Sequence, residues 1–303
     1  MFAQTVYEPV NSDIYTFLER LFIKGANEYH SEIKPVPRKE IGEYLLEALE
    51  NENKLSMLDI EEIKFYLEDF ADEVSFVTDT LQLKLPRLEF CTEGQTGRFR
   101  FFDYRDSTFT FNLDPILGIE AASMWNSGFT HTWNGLEFYG YIPGGWGYSL
   151  DFRDNLETGE NIDKERRNSP IPGINISKVD NNSIQYSVVN AEVNYNWSIG
   201  NLSFGKYYLN LGSGKAGQLI LSDKAPSFPM VRLDIEPVKW LNFIYFHGWL
   251  KSNIPDSSTY RATSVEGRES ISDISKYIAS HMLSFYIIED ISLSIGESIV
   301  YSG

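Results

Sequence analysis

The chain has 303 residues, with 43 acidic and 26 basic side chains and a net charge of -17 at pH 7. No apolar run reaches the roughly 18 residues of a transmembrane helix, so the chain crosses a membrane as strands or does not cross one. The single cysteine, Cys91, excludes an internal disulfide and is expected to be a free, buried thiol. No cofactor, metal or nucleic-acid partner is expected.

Residues 1–93 predict a small acidic helical bundle. They carry 20 acids against 9 bases, a net charge of -11, and leave 23 against 17, or -6, for the remaining residues. The apolar spacing and the capping residues predict three helices: one between an Asn11 or Ser12 cap and Gly25, one over 38–51, and one from a Ser56 cap through Glu73.

Residues 94–303 predict antiparallel strands, and the fold class is mainly β. From Gln185 onward, tight turns alternate with connections of about twenty residues, which is typical of an outer-membrane β-barrel with short periplasmic turns and long external loops. The tight turns are predicted at Gly200-Asn201, Pro237 and Glu289-Asp290. Aromatic residues of the kind that form interfacial girdles are abundant, with 18 Tyr, 20 Phe and 6 Trp.

The strand that follows Gln185 alternates with a one-residue slip near Val189 and Asn190, which a β-bulge would explain. The dipeptide Asn134-Gly135 indicates either a type I′ hairpin turn or a bulge. A soluble β-sandwich or propeller also alternates with period two, so the periodicity leaves the membrane and the soluble classes both open.

The chain resembles the Wzi capsule-assembly proteins of bacterial outer membranes. The resemblance rests on the segments DIYTFLERLFIKG, PVPRKEIGEYLLEAL, LEFYGYIPGGWGYSLDFRDN, LILSDKAPSFPMVRLDIEP, WLNFIYFHGWL and YIASHMLSFYIIEDISLSIGESIVY, in matching order along essentially the whole chain. It implies an 18-stranded transmembrane barrel with the helical bundle against or inside it. The implied role is non-enzymatic and lectin-like: a monomer that anchors or organises capsular polysaccharide in the outer membrane of a Gram-negative bacterium.

The length and the end of the chain depart from that family pattern. About ten to thirteen strands fit after Arg98, and the chain stops at Tyr301-Ser302-Gly303, so we expect an incomplete barrel, truncated before closure. The start Met-Phe-Ala-Gln is expected to be the remnant of a signal peptide.

Polysaccharide recognition requires aromatic faces, amides or carboxylates, and basic groups where the polymer is acidic. The external loops are predicted at 155–182, 212–228 and 252–273. The candidate polysaccharide-binding residues lie in or beside these loops: Lys164, Arg166, Arg167, His247, Trp249, Tyr260 and Arg261. A solvated loop for the basic cluster, and a lipid-facing girdle for Trp249, are the structural alternatives.

Arg232 and Asp234 share one face of their strand and are candidates to point into the barrel lumen. An acid pair such as Asp151 and Asp154 could cleave a glycosidic bond only at the right separation, and no enzymatic activity is expected. Two alternative functions stay open, namely a plugged porin or transporter for a small solute, and a soluble carbohydrate-binding β-protein.

Overall fold

The structure is a computed structural model, and it describes residues 6–30, 32–78, 86–93, 96–124, 127–160, 162–164, 172–214, 217–262, 269–288 and 291–303. The fold is mainly β and antiparallel, with few helices. Contacts divide the chain into two compact units. Unit 1 is Met1–Ser198 with Gly205–Ser227, and unit 2 is Ile199–Phe204 with Phe228–Gly303.

The helices of unit 1 are α1 (Ile14–Ile23), α2 (Arg38–Glu50), α3 (Met57–Asp69) and α4 (Ala71–Thr78). Their apolar faces form one core, which includes Ile14, Leu18, Leu21, Ile41, Leu45, Ile63 and Phe70. The apolar spacing that predicts α1 therefore corresponds to its buried face, which includes Phe17. Its N-cap is Asp13 instead of Asn11 or Ser12, and Gly25 follows the helix with a φ of 69°.

The third predicted helix is in fact two helices. Ser56 caps α3 as predicted, and the structure adds a capping box, in which the Ser56 hydroxyl accepts from the Asp59 amide and the Asp59 carboxylate accepts from the Ser56 amide. The helix ends at Phe70, whose ψ of 18° leaves helical geometry and whose side chain is buried. The new helix α4 then carries Asp72 and Glu73 in its first turn.

The strands of the chain, in order, are β1 (Ile33–Lys34), β2 (Arg87–Thr92), β3 (Arg100–Arg105), β4 (Thr110–Met124), β5 (Ser127–Ile142), β6 (Trp146–Gly159), β7 (Lys178–Val179), β8 (Ser183–Trp197), β9 (Gly200–Tyr207), β10 (Asn210–Leu211), β11 (Phe228–Val238), β12 (Leu241–Leu250), β13 (Arg261–Ala262), β14 (Glu269–Ser270), β15 (Lys276–Ile288) and β16 (Ile291–Ser302). The first long sheet strand therefore begins at Arg87, inside the segment predicted to be helical.

In unit 1, the strands β2, β3, β4, β5, β6 and β8 pair antiparallel in that order, and β7 pairs with β8. The short strand β10 pairs with β1, outside the large sheet. Strands β5 and β6 are joined by a tight turn in which Gly144 and Gly145 adopt φ values of 93° and 94°. That turn marks the short-connection end of this sheet, and the connection between β6 and β8 marks the long-connection end.

In unit 2, β11, β12, β15 and β16 pair antiparallel in order. Strands β11 and β12 are joined through Lys239 and Trp240, two residues later than the turn predicted at Pro237. The predicted turn at Glu289-Asp290 lies outside the described residues. The β8 to β9 turn is at Ser198-Ile199 instead of Gly200-Asn201.

Asn134-Gly135 is neither a turn nor a bulge. Both residues lie inside β5, where Asn134 pairs with Leu117 and Gly135 with Ile116 in an unbroken register. Glycine is required there for a close approach, because a Cβ would lie 1.8 Å from the Phe152 carbonyl oxygen. The close packing of β5 against β6 therefore determines the conformation of this dipeptide, despite its preference for turns.

Two other predictions are also wrong. The β6–β8 register is continuous from Trp146–Tyr195 to Thr158–Ser183, so the slip at Val189 and Asn190 is not a bulge. It arises because apolar side chains occupy both faces of β8. Cys91 is exposed and not buried, and its φ is 51°.

Candidate functional site

The large sheet of unit 1 has a polar buried face and an apolar exposed face. Residues directly opposite each other in neighbouring strands share a face. The buried face carries Asn112, Asp114, Glu137, Tyr139, Ser149, Asp151, Glu192 and Asn194, and the exposed face carries Leu117, Ile119, Leu136, Leu156, Val193 and Tyr195. Leu117 is 79% exposed while Asn194 is fully buried, which reverses the pattern of a water-soluble sheet.

Unit 2 also exposes an apolar face. Tyr245 and Trp249 of β12 are exposed on one side, and the opposite face of β11, β12 and β15 buries Arg232, Ser280 and Ser284 together with Met230 and Phe246. Leu293, Ile295 and Ile299 of β16 are also exposed, but this last strand of the described sheet is exposed on both faces. Contiguous exposed apolar surface of this kind marks contact with a membrane or another protein.

The helices of unit 1 contact the polar face through a cluster of buried charged and aromatic side chains. Arg38 of α2 donates from Nη1 to Glu8 Oε2 at 2.6 Å and from Nε to Glu73 Oε1 at 2.7 Å. Its guanidinium carbon lies 4.8 Å from the ring centroid of Tyr139 in β5, and the Tyr141 hydroxyl donates to Glu73. Burial raises the pKa of Glu8, although Arg38 opposes that shift.

A second cluster surrounds Asp72 of α4. Its carboxylate accepts from Arg87 of β2 at 3.3 Å, from Arg105 of β3, and from the Asn112 amide of β4 at 3.2 Å. Burial alone would raise the pKa of Asp72, but the two guanidinium groups outweigh burial and lower it. The helix therefore carries a buried carboxylate that stays ionised against two cations of the sheet.

Arg100 of β3 adds a third contact between helix and sheet. It donates to Asp114 at 2.7 Å and to the Tyr139 hydroxyl at 2.9 Å, and it lies 3.5 Å from Asp69 at the end of α3. Buried charge pairs contribute little net stability because of desolvation, but removing one partner leaves a costly unpaired charge. These contacts therefore fix where the helices sit on the sheet.

A cluster of polar and aromatic residues lies on the same face at the long-connection end. His131 Nε2 is 3.0 Å from Asn155 Oδ1 and 3.4 Å from the Tyr186 hydroxyl, which donates to Glu157 Oε1 at 2.8 Å. The Trp133 ring lies 4.7 Å from the His131 ring. We call these five residues the His131 cluster. Aromatic faces beside amide and carboxylate groups can bind sugars.

The structure describes only part of the predicted basic cluster. Lys164 donates from Nζ to the Asn181 carbonyl at 2.6 Å, which ties it to the end of the same connection. Arg166 and Arg167 lie outside the described residues.

His247 and Trp249 lie on the exposed face of β12. The His247 ring is 5.3 Å from Trp249, 5.8 Å from Tyr277 and 6.2 Å from Tyr301. This group, the His247 cluster, is an aromatic patch at the long-connection end of unit 2, as a membrane girdle would be.

Tyr260 and Arg261 are elsewhere in the connection between β12 and β15. Tyr260 follows a 3₁₀ turn at Ser257–Thr259, and Arg261 pairs with Ser270 in the β13–β14 hairpin. Both are exposed, as a loop ligand would require.

Arg232 and Asp234 do share a strand face. Arg232 is 2% exposed, and its Nη2 lies 3.0 Å from Asp234 Oδ1. Asp151 and Asp154, by contrast, lie on opposite faces of β6, since Asp151 is opposite Glu137 and Asp154 is opposite Asn134. These two acids cannot act as a catalytic pair.

The His131 cluster and the helix-binding residues were absent from the sequence-based candidates. A usable signal was present, because Asn190, Glu192, Asn194 and Asn196 recur at every second position of β8. That period marks one polar strand face. It does not reveal that the backbone amide of Tyr7, more than one hundred residues earlier in the chain, donates to Glu192 on this face.

Comparison with protein-family models, with curated proteins and with solved structures found no match. Among the described residues, no helix combines the length and the apolar character needed to cross a membrane.

Proposed function

We propose that this chain forms the wall of an outer-membrane β-barrel that binds and anchors an extracellular polysaccharide without chemical turnover. The observation that carries the proposal is the reversed amphipathy of the sheet, with apolar side chains exposed and polar side chains buried. A sheet in lipid needs an apolar outer surface and tolerates polar groups only on the side away from lipid. A barrel of this kind is closed, because an open edge would leave backbone groups unpaired in hydrocarbon.

The position of the helices supports a plugged barrel. Helices α2 and α4 bind the polar face near the short-connection end through Arg38, Glu73 and Asp72. In outer-membrane barrels the short connections face the periplasm, so the helices sit at the periplasmic half of the lumen. Helices held there by buried charges disfavour the alternative of an open solute pore.

The position of the His131 cluster supports polysaccharide binding. It lies on the polar face at the long-connection end, which faces outward in this orientation. The His131 imidazole and the Trp133 indole, which are only partly buried, can pack against sugar rings and hydrogen-bond to hydroxyls, and the buried Asn155, Glu157 and Tyr186 side chains hold them in place. The resemblance to the Wzi capsule-assembly proteins supports the same assignment.

The test is a deletion of the complete gene in its encapsulated host, followed by measurement of cell-bound and released polysaccharide. We expect unchanged total synthesis, with polymer shifted into the medium. Complementation with Tyr186→Phe or His131→Ala should restore attachment only partly, and Ser187→Ala, which alters the neighbouring exposed-face position, should restore it fully. An unchanged distribution of polymer in the deletion strain would refute the anchoring role.

A further inference from the structure

The polar face of the large sheet in unit 1 is organised in rows, because residues directly opposite one another in neighbouring strands share a face. We call four consecutive rows of this face the acidic strip. From the long-connection end, their members in β4, β5, β6 and β8 are Glu120, His131, Glu157 and Ile184, then Gly118, Trp133, Asn155 and Tyr186, then Ile116, Gly135, Arg153 and Val188, and last Asp114, Glu137, Asp151 and Asn190. The first two rows hold the whole His131 cluster.

Trp133 is the aromatic platform of this strip. A Cβ added at Gly118 would lie 2.0 Å from Trp133 Cε2, so the indole occupies the space above this glycine of the neighbouring strand. The glycine therefore allows the ring to pack against the sheet. The Trp133 and His131 rings are 4.7 Å apart, and both are only partly buried. An aromatic ring held against a sheet with part of its surface accessible can pack against the C–H surface of a sugar.

The strip has an excess of carboxylates, two of them aspartates and three glutamates. Its own guanidinium group, Arg153, donates to the two Asp151 oxygens at 3.0 and 3.1 Å. Arg100 of β3 pairs with Asp114 at 2.7 Å. Five carboxylates therefore face two guanidinium groups, which leaves three negative charges when His131 is neutral. The glutamates that keep the strip negative lie on both sides of the Trp133 row: Glu120 and Glu157 towards the long-connection end, and Glu137 towards the short-connection end.

The glutamates of the first row differ in accessibility. Glu157 is 1% exposed, and its Oε1 accepts from the Tyr186 hydroxyl at 2.8 Å. Glu120 is exposed and lies opposite His131, one row from Trp133. A ligand that packs on Trp133 therefore reaches the Glu120 carboxylate, while Glu157 adds its charge from below. Carboxylates attract a protonated amine, which donates charge-assisted hydrogen bonds to them, and they repel another carboxylate or a phosphate.

We propose that the polysaccharide bound at the His131 cluster is an amino-sugar polymer with protonated amino groups, and that the acidic strip excludes polymers of uronic acids. This inference rests on the polysaccharide binding proposed above and adds the chemical class of the polymer. One sugar packs on Trp133, and its ammonium group donates to Glu120. Glu137 is four residues from Trp133 along β5, or about 14 Å, so it meets a different sugar of the same polymer.

The test compares oligosaccharides of equal length that differ in charge. A glucosamine tetramer and its fully N-acetylated form have the same backbone and differ only at nitrogen, and a galacturonic acid tetramer supplies the acidic case. The full chain is reconstituted in lipid nanodiscs and titrated with each tetramer by calorimetry. The titrations are made at about pH 6, where amino groups are largely protonated and glutamates are ionised.

The glucosamine tetramer is expected to bind at least about tenfold more tightly than the N-acetylated tetramer, because only the former forms charge-assisted hydrogen bonds. The galacturonic acid tetramer should bind more weakly than either. Glu120→Gln should reduce the preference for the free amine severalfold and leave binding of the N-acetylated tetramer unchanged. Asp154→Asn is the matched control, since it removes the same charge from the opposite face of β6 and should leave the preference unchanged.

Equal or tighter binding of the N-acetylated or the galacturonic acid tetramer would overturn the amino-sugar assignment and leave polysaccharide binding standing. A preference that falls equally in Glu120→Gln and Asp154→Asn would also overturn it, because the preference would then come from the net charge of the chain. Absence of binding by all three tetramers would overturn the assignment as well. The anchoring role is judged separately, by the polymer that the deletion strain releases.

Discussion

The helical bundle and the sheet of this chain bury opposite kinds of side chain. In the bundle, Ile14, Leu18 and Ile41 are fully buried and the acidic residues lie mainly outside, as expected in water. In the sheet, Asn194 and Ser203 are fully buried while Leu117 and Ile119 are more than 70% exposed. The bundle therefore buries apolar side chains, and the sheet buries polar ones. The polarity of the buried side chains, and not the overall hydropathy, distinguishes the two regions.

The largest loss of stability is expected from a substitution at the contact between the helical bundle and the sheet. Arg38→Ala should lower the free energy of unfolding by about 3–5 kcal/mol, because it leaves Glu8 and Glu73 buried without their cation. Lys39→Ala is the matched control, since its pair with Glu43 is partly exposed to solvent and contributes under about 1 kcal/mol. Urea titration of both variants measures the difference. Equal losses in the two variants would show that the helices are not held by the buried charges.

A smaller loss of stability is expected from a substitution inside the helical bundle. Asp59 accepts from Ser56 and from Lys24, and these bonds lower its pKa despite the opposing effect of burial. A carboxyl group whose pKa is lowered on folding stabilises the folded state at pH values above its unfolded pKa of 3.8. This stabilisation is lost as the pH falls through the pKa of the folded state. Asp59→Asn should therefore cost about 1.5–3 kcal/mol at pH 7, and the cost should shrink as the pH falls below about 4.

The control for Asp59 is Glu62, which pairs with the same Arg20 but is more exposed. Glu62→Gln should cost less than about 1 kcal/mol. A pH-independent loss in Asp59→Asn would contradict the assignment of its effect to an ionised carboxylate.

The smallest change in stability is expected from a substitution of Cys91. It is exposed on β2, so Cys91→Ser should change the free energy of unfolding by less than about 0.5 kcal/mol. Thiol labelling of the folded protein should be as fast as that of the unfolded chain. Strong protection of the thiol would show that the β2 region is covered in the folded protein.

Local patterns were sufficient to predict several elements. The apolar spacing of α1 and α2, the Ser56 cap and the shared strand face of Arg232 and Asp234 all depend on residues close in sequence. The break at Phe70 was not predicted, because the apolar and acidic residues on either side of it continue a helical pattern.

Other features depend on distant partners and could not be predicted. Gly135 lies in a strand because the Phe152 backbone approaches it, and Asp72 is ionised because Arg87 and Arg105 surround it. The sequence shows these residues but not their contacts. The reversed amphipathy was not predicted, because the apolar residues of β8 lie on both faces of the strand and were interpreted as one face with a one-residue slip.

The most direct test of the membrane claim is the free energy of folding of Leu117→Arg into lipid vesicles. Leu117 is at the centre of β4 and 79% exposed, and Leu219→Arg makes the same change at an 86% exposed position between β10 and β11. If the exposed face contacts lipid, Leu117→Arg should cost about 2–4 kcal/mol and Leu219→Arg less than about 0.5. Equally small costs at both positions would contradict the account, because they would show that the exposed face of the sheet contacts water.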